Sequence, residues 1–266
     1  MKRRNFLASV GALSTVPLSV IGQDKKNDNA TGTKTEYIEL IKFRLHTGSK
    51  KKLVSNFYRD VAIPALNRAG IKHVGVFNVK YGPNDPTLYV FIPHQSFDSI
   101  VKTPEKLLAD KEYLKAGESF LNATLSDTAY VRMEKTLLVA FNMMPKIEVP
   151  NSLLNKKSRI YELRIYESHS QAAGKRKIEM FNEGGEIEIF KKTGFQPVFY
   201  AETLFGPQIP NLMYMLVFEN MASRNKSWDV FRASPEWTKL KANAYYKDTV
   251  SNITDIILRP TSFSQI

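Results

Sequence analysis

Glu162, Arg164 and Tyr166 alternate along the short β-prone run Tyr161-Glu162-Leu163-Arg164-Ile165-Tyr166, and a period of two places all three on one face. A carboxylate, a guanidinium and a phenol in a row can satisfy one another inside a fold. They can also hold a ligand, because the guanidinium's planar fork suits a carboxylate or phosphate. The opposite face, Tyr161, Leu163 and Ile165, is apolar. It is expected to pack beneath helices, which turns the polar face toward the space between two sheets.

Two runs of cations form a second candidate set. Lys50-Lys51-Lys52 and Lys175-Arg176-Lys177 fall at matching places near the starts of two long helical stretches. Cations there oppose the helix dipole, so an anion at the helix start is a candidate occupant beside a plain solvated face. Metal and nucleophile chemistry find little support. The chain has no cysteine, and its four histidines, His46, His73, His94 and His169, make no i, i+4 pair. No Gly-x-Ser-x-Gly elbow occurs, and Gly184-Gly185 lacks the strand and the Lys-Ser or Lys-Thr of a phosphate loop. No metal and no cofactor are expected.

These residues sit behind a leader. Lys2-Arg3-Arg4 precedes a mostly apolar stretch to Ile21, with small Val20 and Gly22 suiting a cleavage site, so residues 1–22 read as a signal peptide. Arg3-Arg4-Asn5-Phe6-Leu7 resembles the twin-arginine export pattern. Residues 23–35 are polar and read as a flexible tether. The expected location is therefore periplasmic or extracellular. Removing Lys2, Arg3 and Arg4 from 38 basic residues leaves nine more than the 26 acidic ones. That excess suits a small anionic molecule or an acidic envelope surface better than nucleic acid, which is a poor partner outside the cytoplasm. No later segment is long and apolar enough to span a membrane.

The elements that must position the candidates occur twice. Glu39-Leu40 matches Glu162-Leu163 at an offset of 123 residues, Gly70 matches Gly194 at 124, and Tyr81-Gly82-Pro83 matches Phe205-Gly206-Pro207. Tyr89 falls on Tyr214 at 125, and Glu112-Tyr113 on Glu236-Trp237 at 124. Two repeats follow, 36–141 and 159–266, joined by a linker at 142–158. Each reads as strand, long helix, two strands about a Gly-Pro turn, helical region and last strand near 136–141 or 253–258. This β-α-β-β-α-β order is the ferredoxin-like unit of an α+β fold. Its sheet is covered by helices on one face only, so the two repeats should pack sheet to sheet as a dimeric α/β-barrel within one chain. Pro64 and Gly184-Gly185 should disturb the two long helices at nearly the same level, splitting or kinking them.

The second repeat resembles the NIPSNAP domain. Tyr161 to Tyr166, Gly194-Phe195-Gln196-Pro197-Val198, Gly206-Pro207, Arg224 and Ser234-Pro235-Glu236-Trp237 follow in that domain's order, and a worn version covers the first repeat. The resemblance implies the barrel fold and adds Arg224 and Trp237 to Glu162, Arg164 and Tyr166 as ligand-site candidates. In the first repeat Ile41, Ser99 and Tyr113 stand opposite Arg164, Arg224 and Trp237. The family brings no settled activity. The expectation is a non-catalytic binding or interaction protein with a cavity between its sheets, able to form homo-oligomers; the alternative is an oxygenase-like enzyme of the barrel superfamily.

Overall fold

The computed structural model describes residues 34–83 and 86–266. The expected signal peptide at 1–22, and the tether at 23–35 except for its last two residues, lie outside the described residues. The first repeat runs β1 (Tyr37–Arg44), a 3-10 turn at Gly48–Lys52, α1 (Leu53–Phe57), a π-helical turn at Tyr58–Ala62, α2 (Ile63–Arg68), β2 (Gly75–Tyr81), β3 (Thr87–His94), α3 (Phe97–Ala109), α4 (Lys111–Leu121) and β4 (Arg132–Ala140). The second runs β5 (Ile160–Glu167), α5 (Gln171–Asn182), α6 (Glu186–Lys192), β6 (Gln196–Phe205), β7 (Asn211–Phe218), α7 (Met221–Ala233), α8 (Pro235–Lys241) and β8 (Asn252–Pro260).

The eight strands close into one antiparallel barrel in the order β1-β3-β2-β8-β5-β7-β6-β4. The repeats meet through strand edges as well as faces. Val79 of β2 lies opposite Leu258 of β8, and Val139 of β4 opposite Glu202 of β6. Closure leaves neither sheet an unpaired edge, and an eight-stranded barrel is just narrow enough for side chains to fill. Leu40, Phe77, Phe91, Leu138, Tyr161, Leu163, Phe199, Met215 and Leu258 do fill it. The expected cavity between the sheets is therefore replaced by a packed core.

That core corrects the strand reading. Tyr161 and Leu163 point into the barrel, while Glu162 and Tyr166 point outward beneath the helices with Arg164 beside them. The physical reason is supply. The sealed interior offers no donors or acceptors beyond its own side chains, whereas the outer face meets helices that can bring polar partners to Glu162.

Both long helices are disturbed where expected, the first by a π turn and the second by a break. Pro64 has no N–H to give the carbonyl four residues back, and its ring crowds that carbonyl. The backbone widens into the π turn just before it, which carries Tyr58 and Ala62. In the second repeat a Cβ on Gly184 would lie 2.6 Å from the Met180 carbonyl oxygen, and Gly185 has φ +87°. The glycine pair thus serves the chain's own backbone.

Helix caps fix the alignment of the repeats. Ser96 caps α3 and Asn220 caps α7, while Asp110 caps α4 and Ser234 caps α8, each through a side-chain oxygen accepting a backbone N–H. Both cap pairs lie 124 residues apart, so Ile100, not Ser99, is the counterpart of Arg224. Strand register gives the same offset in β3 and β7. Tyr89 lies opposite Lys42 and faces the barrel interior, whereas Tyr214 lies opposite Arg164 and faces the helices. The matching of Tyr89 with Tyr214 is one residue out.

Candidate functional site

All five ligand-site candidates come together in the second repeat, between the outer face of its sheet and its helices. Glu162 is wholly buried. One of its oxygens accepts from Arg164 Nη1 at 3.2 Å and from Arg224 Nη2, and the other accepts from Trp228 Nε1 at 2.7 Å. Arg224 also donates to Asp255 at 2.7 Å, and the Arg164 guanidinium lies 4.5 Å from the Trp228 ring centre. Asp255 stands opposite Arg164 on β8. Burial and the Glu162 charge push its pKa up to about 6, against the pull of the two arginines. Tyr166 shares a hydrogen bond of 2.8 Å with Tyr214, and Trp237 packs 4.6 Å from Phe231.

The cationic runs disperse. Lys177 is buried and donates to Glu186 at 2.6 Å, beside the rings of Phe181 and Tyr166. Burial raises the Glu186 pKa, opposed by Lys177 and Arg164. Arg176 lies over the Tyr245 ring, Lys175 lines a separate small cleft, and Lys50 pairs with Asp127. Lys52 is exposed, and the Lys51 side chain lies outside the described residues. The two runs therefore build no shared anion site. Every cation on the second repeat's cleft has a carboxylate beside it: Arg164 with Glu162, Lys177 with Glu186, and Arg232 with Asp229. Aromatic and charged side chains leave a cleft of about 370 Å³ there.

The first repeat handles the same place differently, and composition and spacing gave no warning of it. Glu39 keeps the position of Glu162, but Ile41, Phe43, Ala62, Ile100, Pro104 and Leu108 replace Arg164, Tyr166, Glu186, Arg224, Trp228 and Arg232. Helices α3 and α4 fully bury only Thr103 and Gly117, while α7 buries Trp228 and Phe231. The space left open is a cleft of about 630 Å³, lined by Ile41, Phe43, Leu66, Ile92, Leu107 and Phe120 among others. Its polar groups are few: Glu39, Lys135, Thr103 and the hydroxyls of Tyr58, Tyr113 and Tyr130.

Glu39 is held by two neighbours. Lys135 Nζ lies 2.6 Å from Oε1, and Nε2 of the buried His94 lies 3.7 Å from Oε2. Burial alone would raise the Glu39 pKa, but His94 and Lys135 outweigh it and hold the carboxyl below its ordinary value. The other His94 nitrogen, Nδ1, is 3.2 Å from Ser99 Oγ. A separation of 3.7 Å exceeds hydrogen-bond reach, so Ser99, His94 and Glu39 do not form a closed relay. Of the other histidines, His46 pairs with Thr128, and His73 is exposed ahead of β2 with φ +59°. Among the described residues no cluster of His, Asp and Glu could hold a metal, and no helix is long and apolar enough to cross a membrane.

The sequence profile of NIPSNAP matches residues 38–145 and again 161–265. The chain belongs to the NIPSNAP family. Its two NIPSNAP segments correspond to the two halves of the barrel. Among solved structures, a proposed monooxygenase from Lactobacillus acidophilus shares 8% identity at a TM-score of 0.53, covering 85% of this chain and 94% of its own. A proposed monooxygenase from Fusobacterium nucleatum shares 10% at 0.50, covering 85% and 92%. A NIPSNAP-like domain protein from Burkholderia xenovorans shares 24% at 0.36, covering 41% of this chain and 90% of its own. At these identities the likeness to the two monooxygenase-like structures is one of fold alone, the dimeric α/β-barrel. No curated protein sequence matches the chain.

Proposed function

We propose that this NIPSNAP protein is an exported, non-catalytic binding protein that takes a small apolar molecule in the cleft of its first repeat. One observation carries the reading: where the second repeat fills the space under its helices with Trp228, Arg164 and Lys177, the first leaves about 630 Å³ open and mostly apolar. Pockets of a few hundred Å³, apolar with a few placed polar groups, are the usual form of a ligand site. The second repeat then serves as the rigid half of the barrel, its buried charges paired internally.

Native mass spectrometry of protein purified from its own host tests this. A retained small molecule is expected, and Ala62→Trp, which places an indole in the cleft, should abolish its retention while the protein stays folded. Retention unchanged in that variant would remove the first repeat as the site.

A further inference from the structure

Resting on that reading of the first-repeat cleft, we infer the class of its ligand: an apolar molecule whose polar end donates a hydrogen bond, a hydroxyl or an amine, and not a fatty acid. The argument starts from what the cleft leaves unsatisfied. Glu39 Oε1 is taken by Lys135 at 2.6 Å, but Oε2 has His94 Nε2 at 3.7 Å, beyond hydrogen-bond reach. At that distance His94 faces the oxygen without closing a hydrogen bond, and its Nε2 is without a hydrogen-bond partner among the described residues. A carboxylate oxygen on the wall of an apolar cleft is an acceptor in want of a donor.

The Tyr58 hydroxyl lines the same cleft, within range of the Glu39 charge. Its ring is buried, it lines the cleft from the π turn, and no described residue hydrogen-bonds it. Burial and the Glu39 charge hold the phenol in its neutral form, so it can donate as well as accept. A ligand hydroxyl would donate a hydrogen bond to Glu39 and could accept one from Tyr58. An amine would add charge attraction to Glu39. A carboxylate would face Glu39 across a low-dielectric space, and the cleft's cation, Lys135, is already engaged. The remaining wall, including Ile41, Phe43, Leu66 and Leu107, takes the apolar body.

Displacement of the neutral fluorophore N-phenyl-1-naphthylamine from the full-length protein tests both levels. Decan-1-ol and decylamine should displace it at concentrations at least tenfold below those of decyl methyl ether and decanoate, which share the body but bring no donor. Equal displacement by all four probes, or a preference for decanoate, overturns the ligand class and leaves the binding site standing. No fluorophore binding, or binding indifferent to Ala62→Trp, overturns the site itself. Glu39→Gln should cost decylamine at least tenfold and leave decyl methyl ether unchanged. Should Glu39→Gln fail to fold, Lys135→Met frees the Glu39 carboxylate instead and should strengthen decylamine at least threefold. No change in decylamine with either folded variant counts against Glu39 as the recognising group.

Discussion

Lys135 and Asp255 occupy the same place in the two repeats and carry opposite charges. Each stands opposite the middle residue of its repeat's first strand, Lys135 opposite Ile41 and Asp255 opposite Arg164. In the second repeat the buried glutamate is neutralised from its own strand and from α7, and Asp255 balances the surplus guanidinium. With Ile41 and Ile100 in the first repeat, the counter-cation comes from the strand next door. The helices above Glu39 are thereby released from any electrostatic duty, and their inner faces are free to be apolar.

The Lys177–Glu186 pair should behave as a buried ion pair. Lys177→Met alone leaves a buried carboxylate unpaired and should cost about 3–5 kcal/mol in urea unfolding. Lys177→Met with Glu186→Leu should return to within about 1 kcal/mol of the parent, or exceed it. A double variant no more stable than the single one would show that the pair does more than neutralise itself.

Stability against pH should carry two opposite signatures. The Asp255 pKa is raised to about 6 in the fold, so between the ordinary aspartate value and 6 the native state holds more protons than the unfolded one. Its contribution is present at low pH and is lost as pH rises toward 6. The Glu39 pKa is lowered, so its contribution is present above the ordinary glutamate value and is lost as pH falls through the folded value. Asp255→Asn should therefore lessen the loss of stability between pH 4 and 6. Glu39→Gln should lessen the loss on acidification below pH 4. Melting curves across pH 3–7 that moved the same way in both variants would contradict the assignment.

Gly185 is strained by any side chain. Gly185→Ala must hold φ near +87° and should lose about 1–2 kcal/mol, with no effect on ligand retention. A change in retention at parent-like stability would give the glycine pair a ligand role after all.

Residues 159–266 expressed alone should dimerise or aggregate. The fragment exposes the edges of β6 and β8 and the inward face carrying Tyr161, Leu163, Phe199 and Met215. Sedimentation of a stable, soluble monomer would mean that the repeats are independent domains.

Export should depend on the arginine pair. Arg3→Lys with Arg4→Lys keeps the charge, so a general secretory substrate would still leave the cytoplasm. Normal secretion of the double variant would refute twin-arginine export and leave the signal peptide itself untouched.

The repeats, the order of their elements and the helix disturbances were readable because each has a local cause: a glycine, a proline, a capping side chain, a period of two. Alternation along Tyr161 to Tyr166 separates two faces but does not say which is inside. The deciding fact is that Arg224 and Trp228 arrive from a helix some sixty residues later, four apart on one face, to meet Glu162. Trp228 itself could have been found from that i, i+4 spacing. Lys177 looked like one of a surface run because nothing local marks Glu186 as its partner. The first-repeat cleft was hidden for a different reason. It is made by what is missing, and Pro104 or Ala62 announces a vacancy only when the filled copy is laid beside it.

The barrel's two seams also set an order of assembly. Strand β2 waits for β8, and β4 waits for β6, so the first repeat leaves the ribosome with both sheet edges bare. Contacts so distant along the chain form slowly, and open edges invite pairing with other chains in the meantime. The second repeat is thus the first one's built-in chaperone as well as its twin, and substitutions that weaken β8 should show first as lost yield, before any loss of binding.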